Sequence, residues 1–371
     1  MPSTITRPAE VLQLLTKLDY HFRLNQCTQY IEVNDVPMSD GEAATIRLKL
    51  REHNVNNFQL VKDVISSAAE QNKYHPVKDY LKSIKYKRGL PIAALAAHVT
   101  DTDGVFGTWL RRWLIGACAK VFLAEQNPML VMDGEQGIGK SEVSRWLGPL
   151  KDYFIESAIN PDDKDHRLRL AGCWIWEVAE LGATVRRADR EALKSFISQR
   201  SVRVRPPYGH SDVTLDALAS LIGTVNDEAG ILNDPTGSRR FLICQVVKID
   251  WDYTKKIRLD QVWAEAYAAF LDGEAWQLTR TEDKQAQDIN ERYETEDPIE
   301  GLLKQHYRGD ARRVTWWEPT ATVLERLYGL SGVTRSNSFA LGGCCRRLKL
   351  QRVRREWKEQ WLWGYTGLKL K

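Results

Sequence analysis

"NPMLVMDGEQGIGKSEVSRWLG", residues 127–148, sets three glycines between an apolar run and a segment of helical periodicity. The run Met129 to Met132 reads as a strand that stops at Asp133-Gly134, and the helix begins at Lys140. Gly134, Gly139, Lys140 and Ser141 stand in the fixed places of G-x-x-x-x-G-K-S. Such a loop aims several bare backbone N–H groups at one point, beside the positive end of a helix, and the two together bind a β-phosphate. The expected nucleotide site is therefore Gly134, Glu135, Gln136, Gly137, Ile138 and Gly139, continued by Lys140, Ser141 and Glu142. Lys140 reaches the β and γ oxygens as a point charge and the Ser141 hydroxyl ligates Mg²⁺, so ATP and Mg²⁺ are the expected ligands. A merely structural Gly-rich turn does not call for a strand on one side and a helix on the other.

At 371 residues and 42.6 kDa the chain is long enough for two or three domains with a real core. Charged residues at 27% and hydrophobic residues at 43% describe an ordinary soluble globular protein. The net charge of +4 is too mild to imply a polyanion partner by itself, so its distribution decides. The start, "MPSTITRPAEVLQLLTKLDY", has the features of neither a signal nor a transit peptide. The longest apolar stretch, "WLIGACAKVFLA", is short and carries Lys120, so no membrane span is expected. Cys27, Cys118, Cys173, Cys244, Cys344 and Cys345 show no metal-ligand spacing, and buried free thiols in a reducing cytoplasm are the expected state.

Residues 1–85 mix helical pattern ("AEVLQLLTKLDYHF", "FQLVKDVISSAAEQ") with a short extended piece, "TQYIEVNDVPM". "YHPVKDYLKSI" and "GTWLRRWLIGACAKVFL" read as amphipathic helices leading into the phosphate-loop strand. From 129 to about 250 short β-rich runs alternate with helices, the mark of an α/β fold with a mostly parallel, doubly wound sheet. The ATPase region is expected over 86–280, an acidic solvated helix and linker over 281–297, and a small terminal domain over 298–371.

The loop needs partners. The run "CWIWEVAEL", Cys173 to Leu181, predicts a strand that delivers Glu180 at its end, where a carboxylate can hold the Mg²⁺ shell and orient attacking water. Glu177 lies three residues earlier and is expected on the opposite face, as a second metal candidate or the half of a structural ion pair. "ASLIGTVND" predicts a third strand ending on Asn226-Asp227, whose amide can set water against a γ-phosphate or simply form a turn. Arg239 and Arg240 follow in "DPTGSRRF", where one can reach a neighbouring subunit's nucleotide and the other can brace the sheet edge. Between the second and third strands, "SVRVRPPYGHSDVTL" reads as a hairpin carrying Arg203, Arg205, Tyr208 and His210, a cation-plus-ring chemistry suited to single-stranded DNA.

"GEQGIGKS", "CWIWEVAEL", "RADREALKSFISQRSVRVRPPYG", "IGTVNDEAGILNDPTGSRRF" and the upstream "YHPVKDYLKSI" resemble the virulence-associated protein E family of phages and mobile elements, which is similar to superfamily 3 helicases of the AAA+ class. The resemblance covers roughly residues 20–280. It implies a hexameric homo-oligomer, ATP hydrolysis between subunits, and translocation on DNA. Carried over by position, Lys140 and Ser141 match the Walker A motif, Glu180 the Walker B acid and Asn226 sensor 1. Arg203 to His210 match the hairpin before sensor 1, and Arg239 or Arg240 the finger. The second strand lacks the adjacent Asp-Glu of AAA+ proteins, so the choice between Glu177 and Glu180 stays open. Relatives often carry a primase domain; residues 1–85 offer no catalytic acids for one, so a separate primase or polymerase would be the partner.

In the terminal region "WWEPTATVLERLYGL" and "RSNSFALGGCCRRLKL" read as helices and "RVRREWKEQWLWGYTGLKLK" as a basic hairpin, together a winged-helix-like domain. Arg352, Arg354 and Arg355 are its expected contacts to DNA phosphates, double-stranded DNA included; a protein-docking module is the alternative. Trp357, Trp361 and Trp363 are expected in its core. These observations predict an ATP-dependent DNA helicase or translocase for replication of a prophage or mobile element. The rival is a DNA-binding replication initiator or interference factor whose ATPase only controls assembly. A small-molecule kinase leaves the hairpin and the basic tail without work.

Overall fold

The computed structural model describes residues 6–161, 163–179, 181, 195–204, 212–226, 240–293 and 298–371. Two compact units divide the chain, Met1–Glu294 and Thr295–Lys371.

The first unit begins with α1 (Pro8–Lys17), a small sheet of β1 (Phe22–Leu24), β2 (Ile31–Val33) and β3 (Val36–Pro37), then α2 (Asp40–Glu52) and α3 (Phe58–Gln71). Polar caps start the two longer helices: the Ser39 hydroxyl accepts from the Glu42 amide, and Asn57 accepts from the Leu60 amide. Val61, Ile65 and Ala68 fall on one face of α3 and join Val11, Leu15, Ile46 and Leu50 in a core of their own.

From α4 (Pro76–Ser83) onward, beginning with Val77 and Leu81, the apolar side chains enter a second and larger core. The chain continues through α5 (Pro91–Ala96), β4 (Val99–Asp101), α6 (Phe106–Leu123), β5 (Met129–Asp133), α7 (Lys140–Trp146), β6 (Phe154–Glu156), α8 (Lys164–Gly172) and β7 (Ile175–Val178). After these come β8 (Ser201–Val204), β9 (Val213–Asp216), β10 (Ser220–Val225), β11 (Phe241–Ile249), α9 (Tyr253–Lys256), α10 (Leu259–Leu271) and α11 (Arg280–Asn290).

Six of these strands form one sheet in the order β4-β11-β5-β10-β7-β6, parallel except for β4. Every residue of β5 and β10 is buried, as strands covered on both faces must be. The connection leaving β5 runs to the far edge at β6, whereas that leaving β10 passes back over β5 to β11. The strand order therefore reverses at β5, and the carboxyl ends there form the crevice in which open α/β sheets bind ligands. Helix α6, buried along most of its length, is fastened to the sheet: Trp109 and Trp113 donate their indole N–H groups to the carbonyls of Ile243 and Leu221, and Lys120 donates to Ala219 O at 2.6 Å. No described helix is long and apolar enough to cross a membrane. All six cysteines are free and buried.

Two expectations are corrected here. The acidic stretch, expected as a solvated helix and linker, is helical to Asn290 but buries one face, and its last residues, 294–297, lie outside the described residues. Ala286, Ile289, Asn290 and Tyr293 share one face of α11 and the turn after it, and all four are buried, with Asn290 donating to Phe241 O of β11 at 3.1 Å. Glu282 lies on the same stripe, half-buried and paired with Arg112 at 3.0 Å, while Asp288 and Glu291 are exposed; composition alone did not separate the two. The second correction concerns the carboxylate strand, which is shorter than "CWIWEVAEL" implied and ends at Val178.

The second unit runs α12 (Pro298–His306), β12 (Tyr307–Gly309), β13 (Trp317–Pro319), α13 (Thr320–Tyr328), α14 (Arg335–Arg347), β14 (Arg352–Trp357), β15 (Gln360–Thr366) and β16 (Leu368–Leu370). β13, β15 and β14 make an antiparallel sheet, β12 pairs with β16, and Leu303, Leu324, Leu341, Cys344 and Tyr365 are among the core residues. The helix read from Trp316 starts only at Thr320, because Trp317–Pro319 pairs with Gly364–Thr366. The placement of three tryptophans in the core is overturned as well. β13 covers β15 no further than Gly364, so Gln360 to Trp363 extend beyond it. Trp357, Trp361 and Trp363 are 44%, 61% and 51% exposed.

Candidate functional site at the carboxyl ends of the central strands

The loop between β5 and α7 needs its glycines for two separate reasons. Gly134 has φ +147°, and a Cβ there would stand 2.3 Å from Val246 O of β11. Gly139 has φ +104°, and a Cβ there would meet the ring of Trp251 at 2.5 Å. With bare backbone at both ends, the loop lies close against β11 and the segment that follows it.

Lys140 is 5% exposed, and its ammonium donates to Gly134 O at 2.6 Å, Glu135 O at 2.7 Å and Asn226 Oδ1 at 3.2 Å. The last contact joins the loop to the end of β10, 86 residues later. Parallel pairing sets that meeting: Val225 of β10 lies beside Asp133 of β5, so the next residue of each strand emerges at the same edge.

Glu177 sits where the sequence reading did not put it. Expected to face away from the loop, it is fully buried and lies against the Ser141 hydroxyl, while Thr224 of β10 donates to its Oε1 at 3.4 Å. The expected face was counted back from Glu180 by strand alternation, and β7 ends at Val178, so that count does not apply. Its Oε2 is buried and has no hydrogen-bond partner, and no described ion pair holds it. Burial, reinforced by Glu156 and opposed by the hydroxyls of Ser141 and Thr224 and the charge of Arg145, pushes its carboxyl up to about 7. An orphaned carboxylate oxygen beside a hydroxyl fits a divalent cation such as Mg²⁺, which takes few protein oxygens and completes its shell with water and phosphate. Among the described residues no cluster of three or more His, Cys, Asp or Glu forms a metal cage of its own.

The remaining candidates are placed as follows. Glu142 is exposed and paired with Arg145 at 2.6 Å, which in turn reaches Glu156 at 2.7 Å. Arg240 is half-buried and donates to the Ser198 hydroxyl at 2.6 Å, an intrachain bond. β8 and β9 pair antiparallel, Arg203 opposite Thr214, with Val202 buried and Arg203 exposed in an ion pair to Asp212 at 3.2 Å. Glu180, Arg205, Tyr208, His210, Asp227 and Arg239 lie outside the described residues. In the second unit Arg352 and Arg354 are exposed, and Arg355 donates to Val314 O at 2.9 Å.

Three site residues escaped the sequence reading. Thr224, two before Asn226, is placed by strand alternation beside Glu177. Trp251 follows β11 and walls the loop at Gly139, half-exposed, with no motif to announce it. Tyr293 donates to Asp133 Oδ2 at 2.9 Å and so ties the last residue before the loop to the last turn of the first unit. That contact spans 160 residues, beyond any local pattern.

Residues 81–295, more than half of the chain, match the model of the virulence-associated protein E-like domain. No curated protein sequence matches the chain. Among solved structures, an A-form apo structure of the NrS-1 C-terminal region superposes with a TM-score of 0.57 at 11% identity, over 98% of this chain and 100% of that one. A second A-form apo structure of the same region gives a TM-score of 0.53 at 13% identity, over 97% and 99%. At such identities the likeness is one of fold.

Proposed function

The chain belongs to the virulence-associated protein E-like family, and on that footing we propose that it is an ATP-hydrolysing replication protein of a phage or mobile element, a helicase or translocase that moves on DNA. The observation that carries the reading is the meeting of Lys140, Ser141, Glu177 and Asn226 at the carboxyl edge of β5, β7 and β10. The sheet order, the glycine loop and this meeting support a P-loop core of the AAA+ kind.

In that reading Lys140 leaves the Gly134 and Glu135 carbonyls for phosphate oxygens, because a full negative charge is a stronger partner than a carbonyl. Ser141 and Glu177 hold Mg²⁺, and Glu177 takes up the role first assigned to Glu180. Mg²⁺ held there would supply charge neutralisation for the phosphates of the nucleotide. Asn226 holds the attacking water, released from Lys140 once that ammonium turns to phosphate. Arg239 or Arg240 serves a neighbouring subunit's site in a hexameric ring, and the β8–β9 hairpin grips single-stranded DNA. With β12 and β16 paired as a separate ribbon, the remaining order α12, β13, α13, α14, β14 and β15 supports a winged-helix reading, and the basic β14–β15 hairpin supports a DNA-binding role. Priming would come from a separate primase or polymerase, and the working compartment would be the cytoplasm.

Mg²⁺-dependent ATP hydrolysis by the purified chain and by Lys140→Ala tests the site, and displacement of one strand from a fork tests the motor. Hydrolysis lost in Lys140→Ala with the fold retained is the expected result; hydrolysis at the wild-type rate sinks the reading. ATP-driven assembly on DNA without strand displacement would instead make the protein an initiator or interference factor.

A further inference from the structure

The three exposed tryptophans of the second unit belong to a hairpin whose root is in the core and whose far half is not. Along β15 exposure falls from Gln360 to the buried Tyr365 and Thr366. The two-residue turn at its tip, Lys358-Glu359, has φ +49° and +62°, the geometry of a tight turn matched to the twist of two paired strands. The projecting half is therefore a defined ribbon, paired down to Trp357 opposite Gln360.

Register decides which side chains share a face. Residues opposite each other on antiparallel strands point the same way, and Arg354 faces Trp363, Glu356 faces Trp361, and Arg352 faces Tyr365. Trp361 and Trp363 thus stand side by side, about 7 Å apart by strand rise, with Arg352 and Arg354 among them. The Arg352 guanidinium lies 5.0 Å over the Trp363 ring. Neither Arg352 nor Arg354 has an ion pair among the described residues. Glu356 and Glu359 are the two acids between Arg346 and Lys371, against nine basic residues.

We infer that this face is a stacking platform for single-stranded DNA, with Trp361 and Trp363 taking base faces and Arg352 and Arg354 the backbone. The inference rests on the DNA-acting reading above and names the form of DNA this domain takes. Charge makes a polyanion the complement of the face, and exposed flat rings make bases its complement, the combination that grips single strands without sequence preference. A duplex satisfies only the charge, because its base faces are already stacked on one another. A protein partner would be drawn by the same tryptophans and arginines, and the test separates it.

The test measures binding of the full chain to a labelled oligodeoxythymidylate of about 20 nucleotides, enough for one or two single-strand sites, and to a duplex of equal length. The variants are Trp361→Ala/Trp363→Ala and Trp361→Phe/Trp363→Phe, both at exposed positions, and ATP hydrolysis without DNA is followed in each. The alanine pair should weaken single-strand binding by about five-fold or more per ring, leave duplex binding and basal hydrolysis unchanged, and be largely repaired by the phenylalanine pair. Wild-type affinity in the alanine pair overturns the inference and leaves the face to a protein partner. Equal weakening on single strand and duplex overturns it too, since it means phosphate contact alone. Absence of hydrolysis in the wild-type chain would count against the nucleotide reading without touching this one.

Discussion

Glu177 lies buried against Ser141, the residue that follows the loop lysine, and carries one oxygen with no partner. A carboxyl so placed binds its proton more tightly in the folded chain than in the unfolded one, where it titrates near 4.5. Between pH 4.5 and about 7 the folded state therefore holds the extra proton, and stability falls as pH rises through that window. Below it the contribution vanishes; above it the full penalty, up to about 3 kcal/mol, is present. Glu177→Gln should flatten this trend in metal-free buffer, with a Tm at pH 8 equal to or above wild type. It should also abolish ATP hydrolysis while ATP still binds. Wild-type hydrolysis in the variant would return the carboxylate role to Glu180.

If Glu177 holds Mg²⁺ as proposed, the cation competes with that proton. Raising Mg²⁺ should shift the acid limb of the hydrolysis profile to lower pH, because the cation binds only the ionised carboxylate. A limb that ignores Mg²⁺ concentration would mean Glu177 does not ligate it.

Gly139→Ala puts a side chain at φ +104° and its Cβ 2.5 Å from the Trp251 ring. The backbone strain costs about 1–3 kcal/mol, and the collision must move either the loop or the ring. The Tm should drop and ATP affinity should fall with it. Adding Trp251→Ala removes the collision but not the strain, so Tm should recover in part. If the single variant keeps both wild-type values, the loop does not hold this shape in solution.

The glycine loop between a strand and a helix was legible because its signal is local: glycine count, lysine position and flanking periods all sit within 22 residues of one another, from 127 to 148. The parallel sheet was legible for the same reason, through all-apolar runs such as "MLVM" and "SLIG". The face of Glu177 was misjudged by a boundary, since counting alternation back from Glu180 fails when β7 ends at Val178 rather than Leu181. Element ends depend on tertiary partners, which one strand's sequence does not contain. The tryptophans of the β14–β15 hairpin failed differently. Bulk and apolarity favour burial, but that needs an element packed on the face of the hairpin, and the face carrying Trp361 and Trp363 is exposed beyond Gly364.

Arg240 donates to Ser198 within its own chain, half-buried. Arg240→Ala should therefore cost about 1 kcal/mol of stability, the worth of an ordinary hydrogen bond. If it also serves as the finger, hydrolysis should disappear with ATP affinity intact, and mixing it with Lys140→Ala should restore some turnover, since mixed rings contain intact interfaces. Lost stability with full hydrolysis would leave the finger to Arg239.

The Tyr293 hydroxyl donates to Asp133, the residue before Gly134, from the last turn before the chain leaves the first unit. Tyr293→Phe removes that donor and almost no volume, so it isolates the bond from the packing. Asp133 is 2% exposed, and a buried carboxylate that loses a donor costs about 1–3 kcal/mol. The strand end should loosen where it launches the loop, and the hydrolysis rate should fall more than the stability loss explains at temperatures where both proteins are fully folded. Tyr293→Leu, which also deletes ring contacts in the core, should lose more stability than Tyr293→Phe without losing more activity. Measuring Tm and ATP turnover on the two variants side by side separates the roles. Should activity follow Tm in both, Tyr293 is a packing residue and the tie to Asp133 has no part in shaping the loop.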